Sequence, residues 1–337
     1  MDTFFEFPIE RRRILCEESY ERLGLVPSSI EKDIWVCWVL RELFSLPKWQ
    51  GQLTFKGGTS LSKGWQLISR FSEDIDVVID RAFLGFSEES LSRSRRDKLR
   101  DACRQNVQEE LLPALIQRVS TSLPDGLTWK LYPVDKTEDP EQLTLLFQYP
   151  TAFAGSSTYL QPIVKIELGG RADTEPVEMP VIKPYLSDAF PDIFPKSTFA
   201  VRTVAARRTF WEKAMLLHEE KFRPADKGRK ARLSRHYYDL WCMIEKGIAR
   251  QALDDQGLFD RVAQHRQVFY RQTWVDYSTL RIGSLDLIPT AAQLHDWQQD
   301  YEAMRGVMFF EEPPTFDEIL RRIQQFQEEF NHRAVDI

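Results

Sequence analysis

Asp74 and Asp76 are two carboxylates separated by one residue, in the run Arg70-Phe71-Ser72-Glu73-Asp74-Ile75-Asp76-Val77. Side chains alternate faces along a strand, so both acids project from one side while Ile75 and Val77 face a core. About 7 Å apart along the strand, the two repel unless cations or water separate them. Hard oxygen donors in this arrangement suit Mg²⁺ or Mn²⁺. Upstream lies Phe55-Lys56-Gly57-Gly58-Thr59-Ser60-Leu61-Ser62-Lys63. A Gly-Gly turn at a helix start brings backbone N–H groups up to an anion, with the Thr59 and Ser60 hydroxyls beside them. A phosphate cradle facing an acidic metal-binding pair is the chemistry these residues describe. Neither half is specific alone, and the P-loop pattern GxxxxGK[ST] is absent. Joined as strand, Gly-Gly turn, helix, strand and D-x-D, they form one signal.

The elements that must position these residues can be read from periodicity and breakers. Residues 9–23 predict a helix that stops at Gly24. Ser28 or Ser29 is an expected N-cap for a second helix, which ends near Leu46-Pro47. Leu53 to Phe55 reads as a strand feeding the glycine turn, 59–69 as a helix and Ile75 to Ile79 as a strand. A long charged helix is expected from Glu88 to Val119, kinked or split by Pro113. Strands follow near 128–134, 142–149 and 161–168. After Pro195 the pattern turns helical over 201–250 and 254–337, ending in an amphipathic helix from Phe316 to Phe330. The fold class is therefore α+β: a mixed sheet flanked by helices over 1–198, then a helical C-terminal domain over 199–337.

Three further sites carry possible chemistry. In Val164-Lys165-Ile166-Glu167-Leu168 the alternation places Lys165 and Glu167 on one face. If this strand lies beside the one bearing Asp74 and Asp76, Glu167 completes a carboxylate triad able to share a metal and accept a proton. The bland alternative is an exposed edge with a Lys–Glu pair. Lys213 sits on a helix whose stripe is Phe210, Ala214 and Leu217, and Asp239 on another with Tyr237, Leu240, Trp241 and Ile244. Arg235 and Asp239, four apart, can form an ordinary intrahelical bridge. The five histidines show no catalytic or metal-ligand spacing, and His218 and His236 read as surface or core residues. Trp241, Trp274 and Trp297 read as core.

The run KGGTSLSK…RFSEDIDVVI resembles the nucleotidyltransferase superfamily related to DNA polymerase β. Within it, the chain resembles the AbiEii/AbiGii-type toxins of type IV toxin–antitoxin systems, including the MenT group that modifies tRNA. Ile30-Glu31-Lys32-Asp33, Ile163-Val164-Lys165-Ile166-Glu167, Phe210-Trp211-Glu212-Lys213-Ala214 and Arg235-His236-Tyr237-Tyr238-Asp239-Leu240 are similar to the other family motifs. The likeness spans about residues 30 to 245. It implies a polymerase-β-like fold, with Asp74, Asp76, Glu167, Lys213 and Asp239 as catalytic residues. It also implies Mg²⁺ or Mn²⁺ held by Asp74, Asp76 and Glu167, and an NTP held by Gly57, Gly58, Thr59, Ser60 and Lys63, with Lys213 on the triphosphate, Asp239 positioning it or an acceptor group, and Arg235 and Arg232 as weaker phosphate contacts. The superfamily often has Asp at the position of Glu167. The implied reaction transfers NMP to an acceptor hydroxyl, with the 3′ end of tRNA as acceptor and an antitoxin as partner. A protein hydroxyl as acceptor, and a nucleotide (GTP)-binding role without turnover, stay open.

Composition bounds the rest. The chain has 337 residues and a net charge of -6, enough length for two domains and too acidic to coat nucleic acid over its whole surface. Residues 202–235 nevertheless hold eleven Lys/Arg against four acids, while 296–337 hold ten acids against four Arg. Such a basic stretch can bind phosphates. The four scattered cysteines argue against a zinc site or disulfide scaffold. No apolar run is long enough for a membrane span, so a soluble, cytoplasmic protein is expected.

Overall fold

A computed structural model of the chain describes residues 1–86, 92–153 and 161–333, without the side chains of 306 and 307. The chain forms two compact units, one of 1–65 and 72–204, the other of 66–71 and 205–337. Residues 66–71 belong to the second unit although they lie between the glycine turn and the D-x-D strand, and no shift in composition announces this.

The first unit begins with α1 (Asp2–Glu6), α2 (Ile9–Leu23) and α3 (Pro27–Phe44). As expected, α2 stops at Gly24, whose left-handed backbone (φ 67°) closes the helix with an N–H bond to the Tyr20 carbonyl. α3 starts two to three residues earlier than the serines predict: Val26 is its N-cap, Pro27 occupies its first turn and no side chain caps it. A proline is preset for that position and has no N–H to satisfy. β1 (Leu53–Lys56) runs into α4 (Gly57–Thr59), which widens into a π-type turn, Ser60–Gly64. The helix expected over 59–69 thus ends at Gly64, and Gln66 has a positive φ of 53°. β2 (Ile75–Ile79) follows, as the alternation predicts.

The long charged helix is realised as α5 (Arg93–Gln105) and α6 (Leu112–Ser122), joined by a π-type turn at Asn106–Leu111. Pro113 lies in the first turn of α6, where the wider turn before it absorbs the missing N–H. Residues 88–91 of that expected helix lie outside the described residues. Then come β3 (Lys130–Pro133), β4 (Thr144–Gln148), β5 (Ile163–Gly169), β6 (Val177–Glu178), β7 (Val181–Ile182), α7 (Tyr185–Ala189), β8 (Phe199–Ala200) and β9 (Thr203–Val204).

Among the described residues, seven strands form one mixed sheet in the order β3-β4-β5-β2-β1-β9-β6. β2 lies at its centre, antiparallel to β1 and parallel to β5. On one face α3 buries Trp35 and Trp38 against Phe147 and Tyr149 of β4 and its end, with the Trp35 and Tyr149 rings stacked at 5.2 Å. That aromatic layer packs α3 onto the β4 side of the sheet.

The second unit is helical: α8 (Ala206–Lys221), α9 (Arg235–Glu245), α10 (Ile248–Asp254), α11 (Leu258–Phe269), α12 (Ala291–Met308) and α13 (Phe316–His332). α8 packs on α9, α10 and α11, and α13 on α9. The expected stripe Phe210, Ala214 and Leu217 is fully buried, with Phe210 against Phe326 at 5.0 Å. α13 spans its predicted length and starts with a Thr315–Glu318 capping box. Trp297 is core as expected, whereas Trp241 and Trp274 are only half-buried because each sits at the margin of the helix pack.

Candidate active site

In the first unit, three strands and one turn assemble the acidic site. β1 and β2 pair so that Lys56 lies opposite Asp76. β2 and β5 pair in parallel with Asp76 opposite Glu167. The alternation in β5 is as predicted, with Val164, Ile166 and Leu168 buried and Lys165 and Glu167 on the other face. Glu167 is therefore a direct cross-strand neighbour of Asp76, and Asp74 stands one residue ahead of β2.

The electrostatics follow from this register. Burial first, then the Glu167 charge and a hydrogen bond with its carboxyl, push the Asp76 carboxyl well above the usual carboxylate range, while Lys56 opposes the shift. Asp74 is raised too, by burial and then by Glu167 and Glu73. Glu167 is ion-paired to Lys165 on its own strand, which holds the Lys165 ammonium above its ordinary value against the cost of burial. Three carboxylates are thus crowded around two lysines, an arrangement that favours an added cation. Among the described residues no three acidic, histidine or cysteine side chains converge as a ready-made metal cluster. The donor chemistry nevertheless fits a hard divalent ion, with Asp76 and Glu167 adjacent and Asp74 on the same face.

The glycine turn abuts these acids. Gly57 takes a left-handed φ of 79°, and a Cβ there would meet Asp76 Oδ2 at 2.0 Å. Thr59 donates its hydroxyl to the Asp74 carbonyl at 2.6 Å and lies 2.9 Å from the Ser72 hydroxyl. Ser60 donates to the Gly57 carbonyl at 2.8 Å. The two hydroxyls therefore brace the turn against the strand, while the first N–H groups of a helix, at Gly57, Gly58 and Thr59, have no partner within it. Lys63 is placed elsewhere. Its ammonium is buried 2.7 Å from Asp33 Oδ1 and lies 3.5 Å above the Tyr185 ring.

The second unit holds Lys213 and Asp239 together, but not with Arg235. Asp239 is fully buried and accepts two bonds from Arg70, at 2.6 and 2.7 Å, and an ion pair from Lys213 at 2.8 Å. The intrahelical Arg235–Asp239 bridge is displaced by this bidentate pairing, which desolvates both partners and is stronger. Despite burial, Arg70 and Lys213 hold the Asp239 carboxyl far below its usual range. Lys213 also lies 3.2 Å from His236 Nδ1, and burial with the neighbouring cations keeps that imidazole neutral. Two cations share one carboxylate, so the cluster carries a surplus positive charge.

The family described as nucleotidyl transferase AbiEii toxin, type IV toxin–antitoxin system, matches residues 38–322. The chain belongs to that family. Among solved structures, the chain is similar to MenT4, a nucleotidyltransferase toxin from Mycobacterium tuberculosis, at 17% identity and a TM-score of 0.49, covering 94% of this chain and 88% of that one. No curated protein matches. No helix among the described residues is long and apolar enough to cross a membrane.

In this AbiEii-family chain, Arg70 is the site residue that the motifs did not single out. It stood in the quoted run as a neighbour of the acids, and nothing local marks Asp239, 169 positions away, as its partner. The basic stretch 202–235 also reads differently once folded. Arg207 is paired with Asp255, Lys221 with Asp286, Arg223 with Glu220 and Arg208 with Glu212, so much of its charge is met by acids.

Proposed function

We propose that this toxin transfers a nucleoside monophosphate from an NTP to an acceptor hydroxyl, and that the acceptor is the 3′ end of tRNA. The observation that carries the reading is the joint between Gly57 and Asp76, with Glu167 beside Asp76 in register. A loop that can bind phosphate through its backbone touches an acidic pair that favours a cation. Phosphoryl chemistry needs such positioning and charge neutralisation more than covalent help.

In this reading Asp76 and Glu167, with Asp74, would hold Mg²⁺ or Mn²⁺, which supplies charge neutralisation at the triphosphate. The N–H groups of Gly57, Gly58 and Thr59 orient the phosphates, and the Ser60 and Thr59 hydroxyls fix the turn. Lys165 orients Glu167 through Oε1, and the Glu167 carboxylate is the proposed acceptor of the acceptor hydroxyl's proton. The acceptor oxygen bonds to the α-phosphorus as the bond to the β-phosphate oxygen breaks, and pyrophosphate leaves. In the second unit, Lys213 and Arg235 are proposed phosphate contacts, supported by the surplus charge around Asp239. The exposed Lys227 and Lys230 of the basic stretch support an RNA acceptor. A cognate antitoxin follows from membership in a toxin–antitoxin family.

Incubation with each labelled NTP and either total tRNA or total protein tests this directly. Label in tRNA, lost in Asp76→Asn, is the expected result. Label in protein alone would replace the acceptor with a Ser, Thr or Tyr hydroxyl. Growth arrest that persists in Asp76→Asn would point to nucleotide binding without turnover.

A further inference from the structure

Nothing local sets the register between β2 and β5. They are parallel, so no hairpin turn joins them, and the whole of α5, α6, β3 and β4 intervenes. Yet the site depends on this register. A slip of one residue would carry Glu167 to the opposite face, and a slip of two would move it about 7 Å along the strand.

The buried Lys32 of α3 supplies a pin. Its ammonium is ion-paired to Glu73, two residues ahead of the first residue of β2. The same ammonium donates to the Gln161 carbonyl at 3.1 Å, two residues ahead of the first residue of β5. One nitrogen thus holds the leading ends of both strands. The residues flanking it extend the clamp. Glu31 accepts bonds from the Thr151 hydroxyl at 2.5 Å and the Ala152 N–H at 2.8 Å, just beyond β4. Asp33 takes the Lys63 ammonium of the glycine turn and the Tyr185 N–H, each at 2.7 Å. Burying three consecutive charged residues on one helix turn is costly unless each is paired, and here each is.

We infer that Lys32 is a positioning residue for nucleotidyl transfer, setting Glu167 opposite Asp76 by tying the starts of β2 and β5 together. The inference rests on the transferase reading above. Lys32 touches none of the proposed ligands; it acts through Glu73 and the Gln161 carbonyl.

The test compares purified wild type, Lys32→Met, Lys32→Arg and Glu73→Gln for kcat and KM with the NTP that the wild type uses. In Lys32→Met, kcat should fall roughly 10- to 100-fold, the size expected of an ångström-scale misplacement, with KM for NTP within about threefold. Lys32→Arg retains donors for both partners and should recover most of kcat. If folded Lys32→Met keeps wild-type kcat, or if kcat and KM change together without rescue by Arg, the inference is overturned. Glu73→Gln alters a half-exposed partner, so it serves where Lys32→Met fails to fold; it should lower kcat in the same direction, and an unchanged kcat overturns the inference. Amide exchange gives a readout independent of activity. Protection at 75–79 and 163–169 should drop selectively in the variants, and equal protection there overturns the inference. A wild type that shows no transfer but whose variants lose this protection would defeat the transferase reading alone.

Discussion

Gly57 and Asp76 meet so closely that a Cβ on the glycine would lie 2.0 Å from the aspartate Oδ2, 2.8 Å from its Cγ and 3.1 Å from its Cβ. The phosphate turn and the acidic strand are therefore one object, because β1 leads into the turn and pairs with β2. Gly57 is doubly constrained, by its left-handed φ of 79° and by the carboxylate against it.

Gly57→Ala should separate these constraints from general stability. The left-handed backbone costs about 1–2 kcal/mol for a residue with a Cβ, and Asp76 must also swing away. We expect a modest loss in urea unfolding together with a loss of transfer of about 100-fold or more, as expected for a displaced reacting group. Gly24→Ala is the control. It shares a positive φ of 67°, but its Cβ would meet nothing within 4 Å. It should lower stability comparably and leave transfer intact.

Asp76 makes stability depend on pH in a direction opposite to most carboxylates. Its folded pKa is raised to about 7 by burial and by Glu167, above the unfolded value. Its protonated form is therefore the stable one: the contribution is present at pH 4 and lost as pH rises through 7. Asp76→Asn should match or exceed the wild type at pH 7.5 by on the order of 1–3 kcal/mol and show a smaller change down to pH 4.5. Mn²⁺ should reverse the comparison. It should raise the wild-type melting temperature at pH 7.5, do so less at pH 5, and leave Asp76→Asn unmoved.

What the sequence made legible was local. Alternation placed β2 and β5 and the outward faces of Asp76 and Glu167, Gly24 ended α2, and the Gly-Gly step marked the turn after β1. The family likeness implies Lys63 as a nucleotide contact, and in the fold its ammonium pairs with Asp33, which α3 brings in from thirty positions away. Helical spacing allows an Arg235–Asp239 bridge, yet Arg70 takes that carboxylate. The net charge of 202–235 counted neighbours in the chain, while Asp255 and Asp286 neutralise it from outside that stretch. Ion pairs between buried groups are set by packing, and no local pattern encodes which acid a packed helix will present.

His218 should make the helical unit acid-sensitive. It is fully buried, accepts the Asp286 N–H at Nδ1 (3.0 Å) and so carries its proton on Nε2, facing the Thr279 hydroxyl at 2.9 Å. Burial lowers its pKa to about 4. The unfolded chain binds this proton first as pH falls, so stability is complete above pH 6.5 and declines toward pH 4, by up to about 3 kcal/mol. His218→Gln should be less stable at pH 7.5 and show a shallower decline between pH 6.5 and 4, measured by urea unfolding.

Lys213 and Arg70 are unequal partners of Asp239, and substitution should reveal it. Arg70 holds both carboxylate oxygens, whereas Lys213 reaches Oδ2 alone. Lys213→Met leaves Asp239 bidentately paired and removes the surplus charge, so it should unfold within about 1 kcal/mol of the wild type. Asp239→Asn leaves two buried cations unmatched and should cost about 3–5 kcal/mol. Arg70→Met leaves Asp239 with one partner and should fall between them. If Lys213 is the phosphate contact proposed above, Lys213→Met should also weaken NTP binding in calorimetry while unfolding almost as the wild type does. Loss of binding and of stability in equal measure would make Lys213 a structural residue instead.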